Sequence, residues 1–331
     1  MTDIFYPVAH RTDEEIAALK TRYESFDETV IPQVFRAHGF SAVSWVKPTS
    51  WGTSHVVYSV TVKERLEPLI LRANIGYGKP EEYMLVEKLL TDRVRTLGIP
   101  VNKILSVDIS RKNFTFDYQI QEKLVGIDVE DHFDGSQDSY DALSFQIGVY
   151  VATWGELVFD GFGRFDTTLS GTKPSMYDYM IVQLDTDIQF LVTAGIISMK
   201  QMIALRKLFE TYKDVMRIQQ STLVHYDLAD HNIMFDGVHT ITGVFDWEAA
   251  VAGDPMLDLA SAPTWKTHFP REQSLFDGYK SVRPLPEFFQ EKIHIYRLRT
   301  MIWKMVYAIR SGILNQDRKK KFDAALLPFS L

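Results

Sequence analysis

Cysteine is absent from this 331-residue chain, so disulfides, thiolate metal ligands and cysteine nucleophiles are all excluded. No stretch of the sequence approaches the roughly 18 uninterrupted apolar residues that a membrane-spanning helix requires. The amino terminus also lacks a basic region followed by an apolar core, which is the pattern of a secretory signal. These absences predict a soluble protein located in the cytoplasm.

An excess of positive charge is also missing. The formal net charge is −7, whereas proteins that bind nucleic acids nonspecifically use Lys and Arg to neutralise phosphates. The one basic run in the sequence, residues 318–321, is typical of a solvated helix end. We therefore expect no nucleic-acid partner and no membrane partner, while the sequence leaves the oligomeric state open.

The chain is rich enough in apolar residues, at 46%, to bury a full core, and its length predicts about two domains or lobes. Helical patterns cover residues 13–25, 28–38 and 80–96, and β-rich patterns cover residues 43–62, 67–75 and 114–122. The remainder has mostly helical periodicity, including a helical stretch at residues 176–191 and another at residues 287–313 whose apolar spacing indicates core packing. Thr12 and Ser198 each begin the pattern of a capping box. We therefore predict an α+β fold with a β-rich lobe over residues 1–122 and a mainly helical lobe over residues 123–331.

Polar residues concentrate at predicted strand ends between Leu223 and Ala260. Asp227 follows a short apolar strand and precedes a loop, so its carboxylate could accept the proton of an attacking hydroxyl. Asn232 begins the returning strand and Asp246 ends the next one, and Mg²⁺ binds such oxygen ligands together with substrate phosphates. The stretch therefore predicts phosphoryl transfer, and we expect Asp258, farther along, to hydrogen-bond the loop backbone.

Two upstream features could hold phosphate, although each has a simpler interpretation. The turn that contains Ser50, Gly52 and Ser54 could bring backbone amides close to a phosphate, but it also fits an ordinary hairpin. Arg72 ends an otherwise apolar strand, from which it could reach solvent or point into a cleft. The acidic helix that follows, with Glu82 and Glu87, offers Arg72 an ion-pair partner.

The combination of motifs is more specific than any one of them. HYDLADHN at residues 225–232 and VFDWEAAVAGDPMLDLA at residues 244–260 resemble the aminoglycoside phosphotransferase family, whose members share a protein-kinase-like fold. LGIPVNKIL, QEKLVG and DGFGRFD fit the same family pattern with less specificity. The resemblance implies a bilobal kinase-like fold, a catalytic role for Asp227, a supporting role for His225, and Mg²⁺ binding by Asn232 and Asp246.

The resemblance also implies a nucleotide site for ATP or GTP. Arg72 stands where relatives carry a lysine that contacts phosphates, with Glu87 as the first choice for its ion-pair partner and Glu82 as the second. Backbone groups near Glu122 and Leu124 would hold the nucleotide base. The sequence departs from the family pattern at Arg72, in a phosphate loop with a single glycine, and at position 155, where relatives often have histidine and this chain has glycine.

The acceptor is left open by the sequence. An aminoglycoside is the leading expectation, since the family and the acidic segment at residues 128–141 both favour a polycation, and such an activity would confer antibiotic resistance. Amino alcohols, sugars and macrolides are alternatives, as is a catalytically inactive kinase-fold binding protein. The short segment between Asp246 and Gly253 leaves no room for the long activation segment of a protein kinase.

Overall fold

The computed structural model describes residues 4–47, 54–76, 80–132, 136–266 and 268–331. The chain divides into two compact units. The sheet unit comprises Arg11–Val125 and Thr242–Glu248, and the helical unit comprises Met1–His10, Gly126–Ile241 and Ala249–Leu331. The α+β class is confirmed, while the division into lobes at residue 122 stays a prediction.

The sheet unit is built on five antiparallel strands in the order β1-β2-β3-β5-β4. Its strands are β1 (Ala42–Val46), β2 (Val56–Val62), β3 (Leu69–Ala73), β4 (Ile104–Asp108) and β5 (Tyr118–Glu122). Its helices are α1 (Asp13–Lys20), α2 (Arg22–Ser25), α3 (Ile31–Ala37) and α4 (Glu82–Thr96). The edge strand β4 was missed, because its antiparallel pairing with β5 is decided by tertiary structure.

The first predicted helix, residues 13–25, is interrupted in the structure. The predicted capping box forms, with the Glu15 amide donating to Thr12 Oγ1 at 3.1 Å and the Thr12 amide donating to Glu15 Oε2 at 2.6 Å. The helix stops at Thr21, whose hydroxyl donates to the Ala18 carbonyl at 3.3 Å. A threonine hydroxyl that bonds the backbone competes with helix continuation, which accounts for the break.

The helical unit contains nine helices within the described residues, together with short strands. The helices are α5 (Val129–His132), α6 (Gln137–Trp154), α7 (Met176–Met180), α8 (Leu184–Thr193), α9 (Met199–Thr211), α10 (Met256–Ser261), α11 (Glu272–Val282), α12 (Phe289–Arg310) and α13 (Gln316–Leu326). The strands are β6 (Ile127–Asp128), β7 (Val158–Phe159), β8 (Phe162–Phe165), β9 (Gly171–Lys173), β10 (Ser221–Val224), β11 (Ile233–Phe235) and β13 (Val251–Gly253). Strand β12 (Ile241–Val244) leads into the sheet unit.

Five of these strands form one sheet in the order β7-β10-β13-β8-β9, and β11 pairs with β6 in an antiparallel arrangement. A single helix predicted over residues 176–191 is two helices, α7 and α8. The break falls at Gln183, which has a left-handed φ of 57° and accepts a hydrogen bond from the Phe5 amide at 3.1 Å. A tertiary contact therefore overrides the continuous helical periodicity.

Helices α6 and α11 approach each other through two glycines. A Cβ atom added to Gly148 would lie 2.0 Å from the Leu275 carbonyl oxygen, and one added to Gly278 would lie 2.0 Å from the Phe145 carbonyl oxygen. Such distances are impossible for real atoms, so the two backbones pack directly against each other.

Within the described part of the chain, no helix is both long enough and apolar enough to cross a bilayer.

Candidate active site

The loop that presents Asp227 begins where β10 ends at Val224. His225 is buried and its Nδ1 accepts a hydrogen bond from the Asp227 amide at 3.2 Å. Asn232 Nδ2 donates to the Asp227 carbonyl oxygen at 2.9 Å. The backbone on both sides of the Asp227 carboxylate is therefore fixed by side chains that belong to the same motif.

Asp258, in the first turn of α10, holds the same loop from the other side. Its carboxylate accepts hydrogen bonds from the His225 amide at 2.9 Å and the Tyr226 amide at 2.7 Å, as the sequence predicted. Trp154 Nε1 donates to Asp258 Oδ2 at 3.3 Å. Burial raises the pKa of Asp258 to about 7. The three hydrogen-bond donors favour the charged carboxylate and lower this pKa, but burial has the larger effect.

Tyr226 occupies an unusual backbone conformation immediately before Asp227. Its φ is 65°, a left-handed value that is costly for a residue with a bulky side chain. The ring is fully buried, and the Tyr226 hydroxyl accepts a hydrogen bond from Trp303 Nε1 at 3.2 Å. Tyr6 stacks on Trp303 with ring centroids 3.8 Å apart. Aromatic packing thus stabilises the strained loop, a support that no sequence motif indicated.

A cavity of about 310 Å³ opens in the helical unit next to this loop. Asp230 and His231, from the loop itself, form part of its wall. Lys304 of α12 also lines the cavity, and the Asp227 carboxylate raises the pKa of Lys304 against the larger opposite effect of burial. The cavity is therefore within electrostatic range of Asp227. The apolar part of the wall consists of Met301, Trp303, Met305, Tyr307 and Trp265.

Two features of the carboxy-terminal region bear on this cavity. The apolar and aromatic spacing of α12 indicated core packing, and most of that helix is buried, while part of it also borders the cavity. The basic run 318–321 indicated a solvated helix end, and Lys319 and Lys320 are exposed near the start of α13. Arg318 and Lys321, which are partly exposed, also line the cavity, a contact that depends on the tertiary position of α13.

Arg72, in the sheet unit, lies among three carboxylates. Its Nη1 donates to Glu87 Oε2 at 2.7 Å, and its Nη2 donates to Asp246 Oδ1 at 2.9 Å and to Glu248. The arginine is only 7% exposed, and these carboxylates raise its pKa well above the usual value despite the opposing effect of burial. A planar guanidinium, with several donors in fixed directions, suits three acceptors better than a lysine ammonium would.

Glu87 is the acidic residue of α4 that pairs with Arg72, and it is 1% exposed. Its carboxylate also accepts hydrogen bonds from Gln119 Nε2 at 2.9 Å and from the Trp247 amide at 3.1 Å. Glu82, the second choice, is exposed on the same helix. The geometry therefore distinguishes the two candidates that the sequence could not separate.

Glu248 and His55 are members of this cluster that the sequence interpretation missed. His55 Nε2 lies 3.0 Å from Glu248 Oε2. Burial opposes the ionisation of Glu248, but Arg72 and His55 outweigh it and hold the pKa of Glu248 well below its ordinary value. The available signal was the position of Glu248 two residues after Asp246, within the motif that carried the family resemblance.

The other predicted nucleotide residues are less closely grouped. Ser54 Oγ accepts a hydrogen bond from Arg11 Nη2 at 2.6 Å, while Ser50 and Gly52 lie outside the described residues. The Glu122 amide donates to the Lys103 carbonyl at 2.9 Å, and its side chain pairs with Arg65 at 2.8 Å. Leu124 packs against the Cα face of Gly243.

The two predicted metal ligands lie in different units. Asn232 belongs to the helical unit and Asp246, with a left-handed φ of 64°, belongs to the sheet unit. Because the Asn232 amide nitrogen is committed to the Asp227 carbonyl, its amide oxygen points away from that bond. One amide oxygen and one carboxylate fit the oxygen-donor preference of Mg²⁺.

Comparison with known proteins agrees with this arrangement. The model of the phosphotransferase enzyme family matches residues 182–287, which include His225, Asp227, Asn232, Asp246 and Asp258. The resemblance to the aminoglycoside phosphotransferase family is confirmed. A probable ketoamine kinase of Klebsiella pneumoniae is 36% identical over 85 residues, which is 25% of this chain and 63% of that relative.

Solved structures extend the likeness over almost the whole chain. Aminoglycoside phosphotransferase APH(4)-Ia, in a ternary complex with AMP-PNP and hygromycin B, is 16% identical and superposes with a TM-score of 0.69, covering 91% of this chain and 99% of that one. A Haemophilus somnus protein provisionally named a fructosamine-3-kinase is 13% identical with a TM-score of 0.63, covering 94% and 99%. At such low identity these neighbours show the fold, and the kinase-like fold class is confirmed.

Proposed function

We propose that the protein is a phosphotransferase that moves the γ-phosphoryl group of ATP or GTP to a hydroxyl group of a small molecule. The observation that carries the proposal is the loop 225–232, in which the backbone around one carboxylate is hydrogen-bonded by Asp258, His225 and Asn232. A carboxylate positioned in this way can orient an acceptor hydroxyl before reaction, which removes much of the entropic cost of the transfer.

Asp227 acts on the acceptor hydroxyl and His225 supports its loop. The hydroxyl oxygen forms a bond to the γ-phosphorus, the bond from that phosphorus to the bridging oxygen breaks, and the nucleoside diphosphate leaves. The hydroxyl proton passes to the Asp227 carboxylate. Direct in-line transfer is proposed because the sequence offers a base and metal ligands but no evident side chain that would accept the phosphate.

The donor side of the site uses the remaining residues. Asn232 and Asp246 would hold Mg²⁺, and the bound ion would neutralise part of the negative charge of the phosphates. Arg72, held by Glu87, contacts the donor phosphates. The proposal also assigns phosphate binding to backbone amides of the turn that contains Ser54 and, outside the described residues, Ser50 and Gly52. Backbone groups at Glu122 and Leu124 receive the nucleotide base. A Glu122 amide that already donates to Lys103 leaves Leu124 as the freer contact of the two.

The acceptor enters the cavity beside Asp227. The family resemblance makes an aminoglycoside the first candidate, and the names of the similar proteins add ketoamines and fructosamines. Other amino alcohols, sugars and macrolides are also candidates. A catalytically inactive binding protein is the alternative from another class, and it would need none of the transfer chemistry.

A thermal-shift measurement followed by an acceptor screen tests the proposal. ATP or GTP with Mg²⁺ should raise the melting temperature in a concentration-dependent way, because a ligand that binds only the folded state stabilises it. Omitting Mg²⁺ should reduce the shift. Nucleotide consumption should then depend on one acceptor class in a panel of aminoglycosides, ketoamines, sugars and amino alcohols. If nucleotide raises the melting temperature but no acceptor in the panel leads to nucleotide consumption, the result would favour the inactive binding protein.

A further inference from the structure

The charge distribution in the cavity beside Asp227 bears on the chemistry of the acceptor, and this inference rests on the proposed function. Charged side chains form about half of the cavity wall. Three are carboxylates and four are basic groups: Glu130, Asp230 and Asp317, and Lys266, Lys304, Arg318 and Lys321. A polycationic acceptor would need carboxylates that can pair with its ammonium groups.

All three carboxylates already have a lysine partner. Lys266 Nζ lies 2.7 Å from Glu130 Oε1 and 3.8 Å from Asp230 Oδ2, and Lys321 Nζ lies 2.8 Å from Asp317 Oδ2. An incoming ammonium group would have to displace these lysines. The acidic segment at residues 128–141, which favoured a polycation, therefore contributes a neutralised carboxylate to the cavity through Glu130.

Two of the basic groups, Lys304 and Arg318, are different. Lys304 Nζ donates to the Thr264 hydroxyl at 2.5 Å and lies 3.3 Å from the ring centre of Trp265. Arg318 Nη1 donates to the Ile313 carbonyl oxygen at 2.7 Å. Among the described residues, no carboxylate oxygen lies within 4.0 Å of either basic group. Neither group therefore has an ion-pair partner in the cavity wall, although the Asp227 carboxylate acts on Lys304 from a longer distance.

The surroundings make an anion favourable at this position. Burial lowers the pKa of Lys304 well below its usual value, although the Asp227 carboxylate raises it, and the nearby Lys321 and Arg318 act in the same direction as burial. A bound anionic group would offset both effects, because an opposite charge within a few ångströms favours the charged form of a lysine. Trp265 and Trp303, with ring centroids 6.4 Å apart, provide an apolar face beside it.

We propose that the acceptor carries an anionic oxygen group, a carboxylate or a phosphate ester, that binds Lys304 and Arg318 while the rest of the molecule packs against Trp265. This assigns the acceptor the charge opposite to that of an aminoglycoside. Lys304 and Arg318 would then determine specificity, because they select the acceptor by its charge without taking part in the transfer.

Binding of small aromatic probes, measured by calorimetry without nucleotide, tests the inference. Benzoate, phenyl phosphate, benzamide and benzylammonium share one ring and differ in charge. We expect saturable binding of benzoate or phenyl phosphate, with the tighter of the two identifying the anionic group, and binding at least about 10-fold weaker for the amide and the ammonium. Tighter binding of benzylammonium, or no saturable binding of either anion, would overturn the inference.

Two variants locate the binding. Lys304→Met and Arg318→Gln should each weaken anion binding by about 10- to 100-fold, the loss typical of a charged hydrogen bond. The control is Lys320→Met, on the same helix as Arg318 but exposed, which should bind the anion as the wild type does. Arg318→Gln changes a partly exposed side chain, so it remains informative if Lys304→Met does not fold. Unchanged anion binding in both variants would contradict the assignment.

The binding readout separates this inference from the proposed function. If the anion binds through Lys304 but no acceptor consumes nucleotide, phosphoryl transfer fails and the anion site stands. If wild type and Lys304→Met phosphorylate an aminoglycoside at the same rate, the proposed phosphoryl transfer is supported, and the inference that the acceptor is anionic is wrong.

Discussion

At the scale of single residues, Arg72 shows how a departure from a family pattern can be accommodated. The family pattern that the sequence resembles has a lysine at this position, and the structure surrounds the arginine with Glu87, Asp246 and Glu248. A buried cation needs several well-placed partners to offset the cost of desolvation. The third carboxylate, Glu248, is what makes the guanidinium fork a better fit than a single ammonium.

The substitution Arg72→Lys tests this interpretation. A lysine cannot reach all three carboxylates at once, so at least one charged hydrogen bond is lost. We expect the free energy of unfolding to fall by about 1.5–3 kcal/mol, measured by denaturant titration. The matched control is Arg65→Lys, because Arg65 pairs with Glu122 at the surface, where an ion pair contributes about 1 kcal/mol or less. Equal effects of the two substitutions would contradict the proposed role of the buried cluster.

Motif residues were predictable from the sequence because their spacing is tied to short strands and loops. Asp227, Asn232 and Asp258 lie within 32 residues of one another, and hydrogen bonds within the loop 225–232 and from Asp258 to it fix their positions. Lys304 and Trp265 were not predictable, because distant segments bring them to the loop. The sequence therefore indicates the chemistry of transfer better than the chemistry of the acceptor.

At the scale of elements, the helix pair α6–α11 depends on two glycines that no motif indicated. Gly148 and Gly278 allow the two backbones to touch, and each would place a Cβ atom 2.0 Å from a carbonyl oxygen of the other helix. Helix α6 also supplies Trp154, which donates a hydrogen bond to Asp258. The close packing thus contributes to the position of the loop 225–232.

Gly148→Ala should separate the two helices. We expect a loss of about 1–3 kcal/mol in the free energy of unfolding, the range for overpacked sites, together with reduced turnover. Gly155→Ala is the control, since that residue follows the same helix with an ordinary φ of −60° and an added Cβ would meet its nearest atom at 3.2 Å. Circular dichroism during thermal unfolding measures both variants. A Gly148→Ala protein as stable as Gly155→Ala would show that the helices can move apart at no cost.

The element boundaries also show where periodicity stops being informative. Capping boxes at Thr12 and Ser198 were read correctly from four residues each, because both partners are local. The break at Gln183 and the strand β4 were missed, because a contact with Phe5 and pairing with β5 decide them. Long-range contacts account for most of the differences between the predicted and observed elements.

At the scale of the whole molecule, the kinase-like fold supports several chemistries, and the site has to identify which one is used. The loop 225–232, the Arg72 cluster and the cavity beside Asp227 each have a distinct physical basis in the unit to which they belong. Together they favour transfer of a phosphoryl group to a small acceptor. The most specific step in that proposal is the role of the Asp227 carboxylate.

The most direct test is therefore phosphoryl transfer by wild type and Asp227→Asn, followed by mass spectrometry of the most active acceptor from the screen. Asparagine keeps the size of the side chain but cannot accept the hydroxyl proton, so turnover should fall by about 10²- to 10⁴-fold. The melting temperature and its shift with Mg²⁺ and nucleotide should stay close to those of the wild type. Transfer by Asp227→Asn at the wild-type rate would contradict the proposed role of Asp227.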